Sequence, residues 1–235
     1  MHRFLPFLLV LIVGFAGQAY ADWPPRARGP EYVPPTAPQM PHPAVARIIV
    51  PERGGISYGS GTLVDVRDSY GLVVTNWHVI RDWAAESGDL EVVFSDGFRS
   101  FARAVKADRE WDLAALVIWR PPGIEPVRLA SQPPRPGDNL TIAGYGQGRY
   151  RAVTGRCIKY LAPAVNRPAE MVEVSVQARQ GDSGGPIFND RGELAGVLWG
   201  ASFGTTSGSY NARVQTFLAS LVPGKYLRSW KRKRK

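Results

Sequence analysis

Gly181-Asp182-Ser183-Gly184-Gly185-Pro186 is the stretch on which the reading of this chain turns. It sets one serine on a glycine-rich turn, where Gly184 and Gly185 keep side chains away from an incoming backbone. A serine hydroxyl is a poor nucleophile at neutral pH. It needs a base to take its proton, a group to orient that base, and donors for the oxyanion that forms. The choice of base is restricted by count, because the chain has only three histidines. His2 lies in an apolar leader and His42 in a proline-rich stretch. Only His78, in Thr75-Asn76-Trp77-His78-Val79-Ile80, falls in sequence that reads as folded. If Ser183 is a nucleophile, His78 is its base.

The orienting carboxylate is expected at Asp112. Asp112-Leu113-Ala114-Ala115-Leu116-Val117-Ile118 puts one acid at the mouth of an apolar strand, where it can be buried against an imidazole. Asp108 and Glu110 are rivals, but they sit in a charged stretch that reads as solvated. Gly181 and Ser183 supply the backbone N–H pair expected to form the oxyanion hole.

Around these residues the chain reads as all-β. Candidate strands are Ala46 to Val50, Gly59 to Val66, Gly71 to Thr75, Leu90 to Phe94, Phe101 to Ala107 and Leu113 to Trp119. Asn139 to Ala143, Gly155 to Leu161, Met171 to Val176, Gly185 to Phe188 and Leu194 to Trp199 follow. Each is short, rich in β-branched or aromatic residues, and bounded by Gly, Pro, Asp or Asn. Many short strands imply a barrel or sandwich. Helical signals are confined to a turn after His78 and a short helix from Arg213 to Leu221 near the end.

With the residues in view, the chain resembles the trypsin-like, chymotrypsin-fold serine proteases. The order His78, Asp112, Ser183 is that of the family's triad. The His, Asp and Ser motifs all match, over about Ala44 to Val222. Gly59-Ser60-Gly61-Thr62-Leu63-Val64 and the Asn-x-His-Val form are most similar to the bacterial trypsin-like and HtrA-like branch, here without a PDZ domain. The resemblance implies two six-stranded antiparallel β-barrels with the triad in the cleft between them. It implies an endopeptidase that works on polypeptides through an acyl-enzyme, with no metal or organic cofactor. It places Gln177 at the base of the specificity pocket, with Leu198, Trp199, Gly200 and Gly208 as walls. Neutral Gln177 argues against a strong preference for Lys or Arg. The rival reading is a silent homologue that acts as an envelope-associated binding protein. Intact triad and oxyanion residues argue against it.

The animal enzymes are activated when a new N-terminus pairs with the Asp before the Ser. Arg47-Ile48-Ile49-Val50 superficially resembles such a cleavage site, but it lies too near His78 and reads as the first strand. Asp182 is expected to be satisfied by internal hydrogen bonds instead.

The flanks read differently from the body. Residues 1–21 combine a short basic start, an apolar run from Phe4 to Gly17, and Ala19-Tyr20-Ala21, the pattern of a cleaved signal peptide. An uncleaved anchor is the alternative, disfavoured by the short run and Pro6. Residues 22–43 hold eight prolines and read as an extended spacer or pro-segment. Residues 44–222 form the protease domain, and 223–235 a basic tail. The single cysteine, Cys157, permits no internal disulfide and reads as a small buried hydrophobe. Of the net charge of +9, five units lie in Lys231 to Lys235 and one, Arg3, leaves with the signal, so about +3 remains on the body. That balance, with no reading motif, excludes a specific nucleic-acid function. The tail is either a solvated end or a weak tether to an anionic envelope surface. Deleting Lys231 to Lys235 is expected to lower retention on anionic vesicles while leaving peptide turnover unchanged. Equal retention in a flotation assay removes the tether.

Overall fold

Two apolar runs, Leu72-Val73-Val74 and Leu113-Ala114-Ala115-Leu116-Val117-Ile118, pair side by side and set the first layer of the molecule. The computed structural model describes residues 39–52, 55–82, 90–202 and 204–221. Residues 1–21, read as a signal peptide, most of the proline-rich segment and the basic tail lie outside the described residues.

The first half contains β1 (Val45–Glu52), β2 (Gly55–Arg67), β3 (Tyr70–Thr75), α1 (Trp77–Ile80), β4 (Glu91–Val93), β5 (Arg99–Phe101), β6 (Arg103–Asp108) and β7 (Leu113–Trp119). The second holds β8 (Asn139–Gly144), β9 (Arg151–Leu161), β10 (Met171–Val174), β11 (Pro186–Phe188), β12 (Leu194–Ser202), β13 (Thr205–Tyr210) and α2 (Asn211–Ala219). All pairings between these strands are antiparallel.

The second set closes into a six-stranded barrel in the order β10-β13-β12-β11-β8-β9. The first forms a seven-stranded sheet, β5-β4-β1-β2-β3-β7-β6, rather than a closed six-stranded barrel. Its two edges are successive halves of one chain segment, broken only at Ala102, whose N–H turns to Leu90 O at 2.7 Å. Trp119 N–H donates to Ser100 Oγ at 2.9 Å, linking the end of β7 to β5. Counted as one bent strand, Arg99–Asp108 makes six strands nearly closed on themselves, a half-barrel of the chymotrypsin type.

β7 is buried from Leu113 to Ile118, and so is all of β3, because both strands have apolar neighbours on two faces. The second barrel has its own core around Ile142, Val172, Ile187 and Leu198. Cys157 lies there with 2% of its surface exposed, and burial pushes its thiol pKa up. α2 packs its Val214 and Phe217 inward, while Lys106 Nζ donates to Phe217 O at 2.7 Å.

Gln39 and His42, which the sequence assigns to the spacer, are held to the second barrel. Gln39 both donates to Ala152 O (3.0 Å) and accepts from Ala152 N–H (2.6 Å), so an amide side chain stands in for a strand partner. His42 packs at a tilt against Phe188 with ring centroids 5.0 Å apart, and its Nδ1 accepts from Ala44 N–H at 3.2 Å. Proline cannot donate to a ladder; the glutamine and histidine between the prolines supply the missing bonds.

Burial holds the His42 imidazole below its ordinary pKa of 6.5, so the folded state favours the neutral ring. The linked stability is full above pH 6.5 and is lost as pH falls through the lowered folded value. Thermal denaturation at pH 7.5 and 5.5 should show a larger drop for the wild type than for His42→Gln. An equal drop places the acid sensitivity elsewhere.

Candidate active site

The short helix α1 and the start of β7 bring His78 and Asp112 together. Asn76 leads into α1 in an extended conformation, and its side-chain amide donates to Asp112 O at 2.7 Å. Asp112 itself has φ +50°, a left-handed conformation that Asp tolerates better than most residues. There its two oxygens divide the work. Oδ1 accepts His78 N–H at 2.7 Å, and Oδ2 lies 2.5 Å from His78 Nδ1. One carboxylate thus fixes both the backbone and the ring of the same residue. The Asp112 side chain is 10% exposed and that of His78 33%, so the ring's far edge faces the cleft.

The rivals are engaged elsewhere. Asp108 Oδ1 accepts Glu110 and Trp111 N–H, closing the turn before Asp112. Glu110 pairs with Arg167 at 2.9 Å.

Ser183 comes from the second barrel, on a loop tied to the first at Ser60. Ser60 N–H donates to Ser183 O (2.8 Å), and Ser60 Oγ donates to Gly181 O (2.8 Å). The same Oγ accepts from Tyr145 N–H (2.9 Å). Gly184, with φ +82°, passes so close to this junction that a Cβ there would lie 2.2 Å from Thr75 Oγ1 and 2.3 Å from Ser60 O. Ser183 Oγ donates to Trp199 O at 3.3 Å. Gly181 N–H and Ser183 N–H find no acceptor among the described residues. Gln180 O is held by Gln147 N–H at 3.0 Å, so the planar trans peptide turns Gly181 N–H to the opposite side.

The pocket residues divide. Trp199 is 43% exposed at a bulge of β12, where the pairing slips between Leu198 and Gly200. Nothing lies within 4 Å of where a Gly200 side chain would begin. Leu198 and Gly208 are buried. Leu198 is fully buried in the second core, its N–H goes to Gly185 O, and its carbonyl accepts Gly184 N–H. It supports the serine loop and has no group left for a ligand. Gly208 is buried against Val197 O, where a Cβ would lie 2.4 Å away, so its small size serves strand packing. Gln177 is exposed, and its carbonyl accepts from Arg151 Nη2 at 2.7 Å.

A cleft of ≈ 400 Å³ beside the imidazole is lined by Trp77, Trp111, Met171 and Trp199 together with His78 and Asp112. Among the described residues no cluster of His, Cys, Asp or Glu forms that could hold a metal ion.

With this geometry in place, comparison with known proteins is decisive for the family. Residues 59–197 match the model of the trypsin-like peptidase domain. The chain belongs to that family. It is 30% identical over 146 residues to the periplasmic serine endoprotease DegP of Salmonella typhimurium, covering 60% of this chain and 30% of that one. It is 28% identical over 172 residues to the serine protease Rv3671c of Mycobacterium tuberculosis, covering 68% and 41%. The active-form crystal structure of the Rv3671c protease superposes with a TM-score of 0.65 at 23% identity, over 75% of this chain and 80% of that one. At that identity the superposition speaks to the fold. The chain spans about a third of the length of the DegP it matches.

Two features escaped the sequence reading. One is Ser60, visible only as part of a glycine-rich motif. The other is the set of partners of Asp182, which is buried beside Ser183. Its Oδ1 accepts Gly146 N–H (2.6 Å) and Arg179 Nη2 (3.0 Å), and its Oδ2 accepts Arg179 N–H (2.8 Å). Arg151 Nη2 lies 3.6 Å from Oδ2. Ile48 meanwhile is buried within β1, paired to β2 and β4. Removing one partner of a buried ion pair costs roughly 3–5 kcal/mol. Asp182→Ala should lose stability on that scale in urea unfolding and distort the serine loop. Arg179→Ala should lose less, because Arg151 remains. A neutral Asp182→Ala overturns the assignment.

Proposed function

We propose that the chain is an exported serine endopeptidase. In this reading Ser183 is the nucleophile, His78 the general base and acid, and Asp112 the group that fixes the imidazole. The observation that carries it is the bidentate hold of Asp112 on His78, with Nδ1 2.5 Å from Oδ2, in a cleft also lined by Trp199, whose carbonyl accepts the Ser183 hydroxyl. With Nδ1–H given to Asp112, Nε2 is left as the lone pair that takes a proton.

Catalysis then proceeds in two halves. Ser183 Oγ attacks the scissile carbonyl carbon as its proton passes to His78 Nε2. Gly181 and Ser183 N–H groups receive the developing oxyanion. His78 returns the proton to the leaving amine, the C–N bond breaks, and an acyl-enzyme remains. Water attacks the ester carbonyl with His78 again as base, and Ser183 is regenerated. Asp112 stabilises the imidazolium throughout. Trp199 O, 3.3 Å from Ser183 Oγ, is placed to accept an N–H from the substrate residue under attack. The open Gly200 leaves room for that backbone. No step calls for a metal or organic cofactor.

An exported location is supported by the leader at 1–21 and by the periplasmic description of DegP. A second reading, a silent homologue that binds without cleaving, draws on the Ser183 hydroxyl bonding to Trp199 O in this structure.

A fluorophosphonate probe separates the two. Wild type should label, Ser183→Ala should not, and His78→Ala should label far more slowly. Asp112→Asn, which favours the wrong tautomer, should lower peptide turnover on the order of 10⁴-fold. Absence of labelling in folded wild type, before and after trimming to Ala44, selects the silent reading.

A further inference from the structure

β1 carries a charge that the mechanism does not use. Ala46, Ile48 and Val50 point into the barrel and are buried, so Arg47 and Ile49 point out of it. Arg47 pairs with Ser60 and Ile49 with Tyr58, which puts Arg47, Tyr58 and Ser60 on one face of the β1–β2 ribbon. Ser60 is the residue whose hydroxyl binds the serine loop at Gly181 O. This face therefore looks toward the nucleophile's loop.

The Arg47 guanidinium lies over the Tyr58 ring at 4.0 Å from its centroid, and Tyr58 is 42% exposed. Arg47 Nη2 comes within 3.9 Å of where a side chain at Gly148 would begin. Gly148 ends the turn Gly146–Gly148 that binds Asp182 and Gln180. Arg47 Nε is buried and has no hydrogen-bond partner, and no carboxylate pairs with Arg47 among the described residues. Glu91, which the register places on the same face, is held instead by two nitrogens of Arg99 at 2.5 and 2.8 Å.

The position of this platform gives it a direction. The aromatic cleft and Trp199 lie on one side of Ser183, where the acyl half of a peptide would rest. Gly59, next to Tyr58, packs directly against Val79, the neighbour of His78. Tyr58 and Arg47 are not among the residues lining that cleft and neighbour the His78 segment instead, which we take as the side where the leaving half departs.

We propose that Arg47, stacked on Tyr58, is a specificity residue that binds an acidic side chain at the first or second position after the scissile bond. This deepens the endopeptidase reading and rests on it. A planar guanidinium braced by an aromatic ring and lacking an internal partner presents a fixed fork to a carboxylate.

The test is a matched pair of quenched peptides, Glu against Gln at those positions, built on a sequence that the full chain cleaves. The Glu peptide should be preferred about ten-fold in kcat/KM, the worth of one charge-assisted hydrogen bond. In Arg47→Gln that ratio should fall to near one, and Arg47→Glu should invert the preference toward a Lys peptide. Arg47→Lys, which keeps charge without the fork, should retain part of it. No preference in wild type, or one that survives Arg47→Gln, overturns the subsite. Binding of the same pair to Ser183→Ala protein, read by fluorescence polarisation, separates the two ideas. Equal binding of Glu and Gln peptides sinks the subsite whether or not turnover occurs. Unequal binding without labelling or turnover keeps it and sinks the hydrolase.

Discussion

The serine loop depends on a carboxylate that would be costly to bury alone. Asp182 is 2% exposed and adjoins Ser183. A carboxylate buried there needs hydrogen-bonding partners. Arg179 supplies both its backbone N–H and its guanidinium, Gly146 supplies a backbone N–H, and Arg151 adds charge from β9. Two oxygens committed in different directions leave the side chain one orientation, and with it the peptides on either side. In enzymes that mature by cleavage a new chain terminus fills this role. Here the segment that superficially resembles a cleavage site is the middle of β1, and arginines already inside the fold supply the charge.

A second constraint aligns the halves of the site. His78 and Asp112 belong to the first sheet, and Ser183 to the closed barrel. Ser60 bridges them through its N–H to Ser183 O and its Oγ to Gly181 O, while its carbonyl receives Thr75 Oγ1 at 2.7 Å. These are bonds to the main chain, so the relative placement of His78 and Ser183 does not rely on their own side chains. A free Cys157 and no disulfide suffice because both halves have their own apolar cores.

The sequence made the chemistry of the site more legible than its walls. Three histidines, one in the leader and one in the proline-rich stretch, leave one candidate base, and an acid at the mouth of an apolar strand is conspicuous. β13 went unread because Thr205-Thr206-Ser207-Gly208-Ser209-Tyr210 has no apolar alternation. Its buried positions are filled by Thr206, Gly208 and Ser209, whose hydroxyls bond Ala178 N–H and Trp111 O. Periodicity finds hydrophobic faces and misses a face made of small polar residues. The bulge at Trp199 slips the β12–β13 pairing between Leu198 and Gly200, and no sequence pattern announces it. Arg151 and Asp182 are far apart in sequence, so their pairing is a product of the barrel's register.

The bulge also bears on how the nucleophile is used. By slipping out of the β12–β13 ladder, Trp199 leaves its carbonyl free of a strand partner, and the Ser183 hydroxyl occupies it at 3.3 Å. A neutral hydrogen bond of that length is weak. A substrate N–H arriving at the same carbonyl would make a shorter bond and displace the hydroxyl. In the proposed mechanism the displaced Oγ turns to His78 Nε2. Docking of the peptide backbone and activation of the serine then become one event, coupled through a single carbonyl oxygen. A small ester that lacks a backbone N–H would leave that carbonyl with the serine and forgo the coupling. On this view the geometry favours polypeptides for a reason other than side-chain fit. The same hydroxyl-to-carbonyl bond that suggests an idle site in the free protein is what makes the nucleophile respond to the right kind of chain.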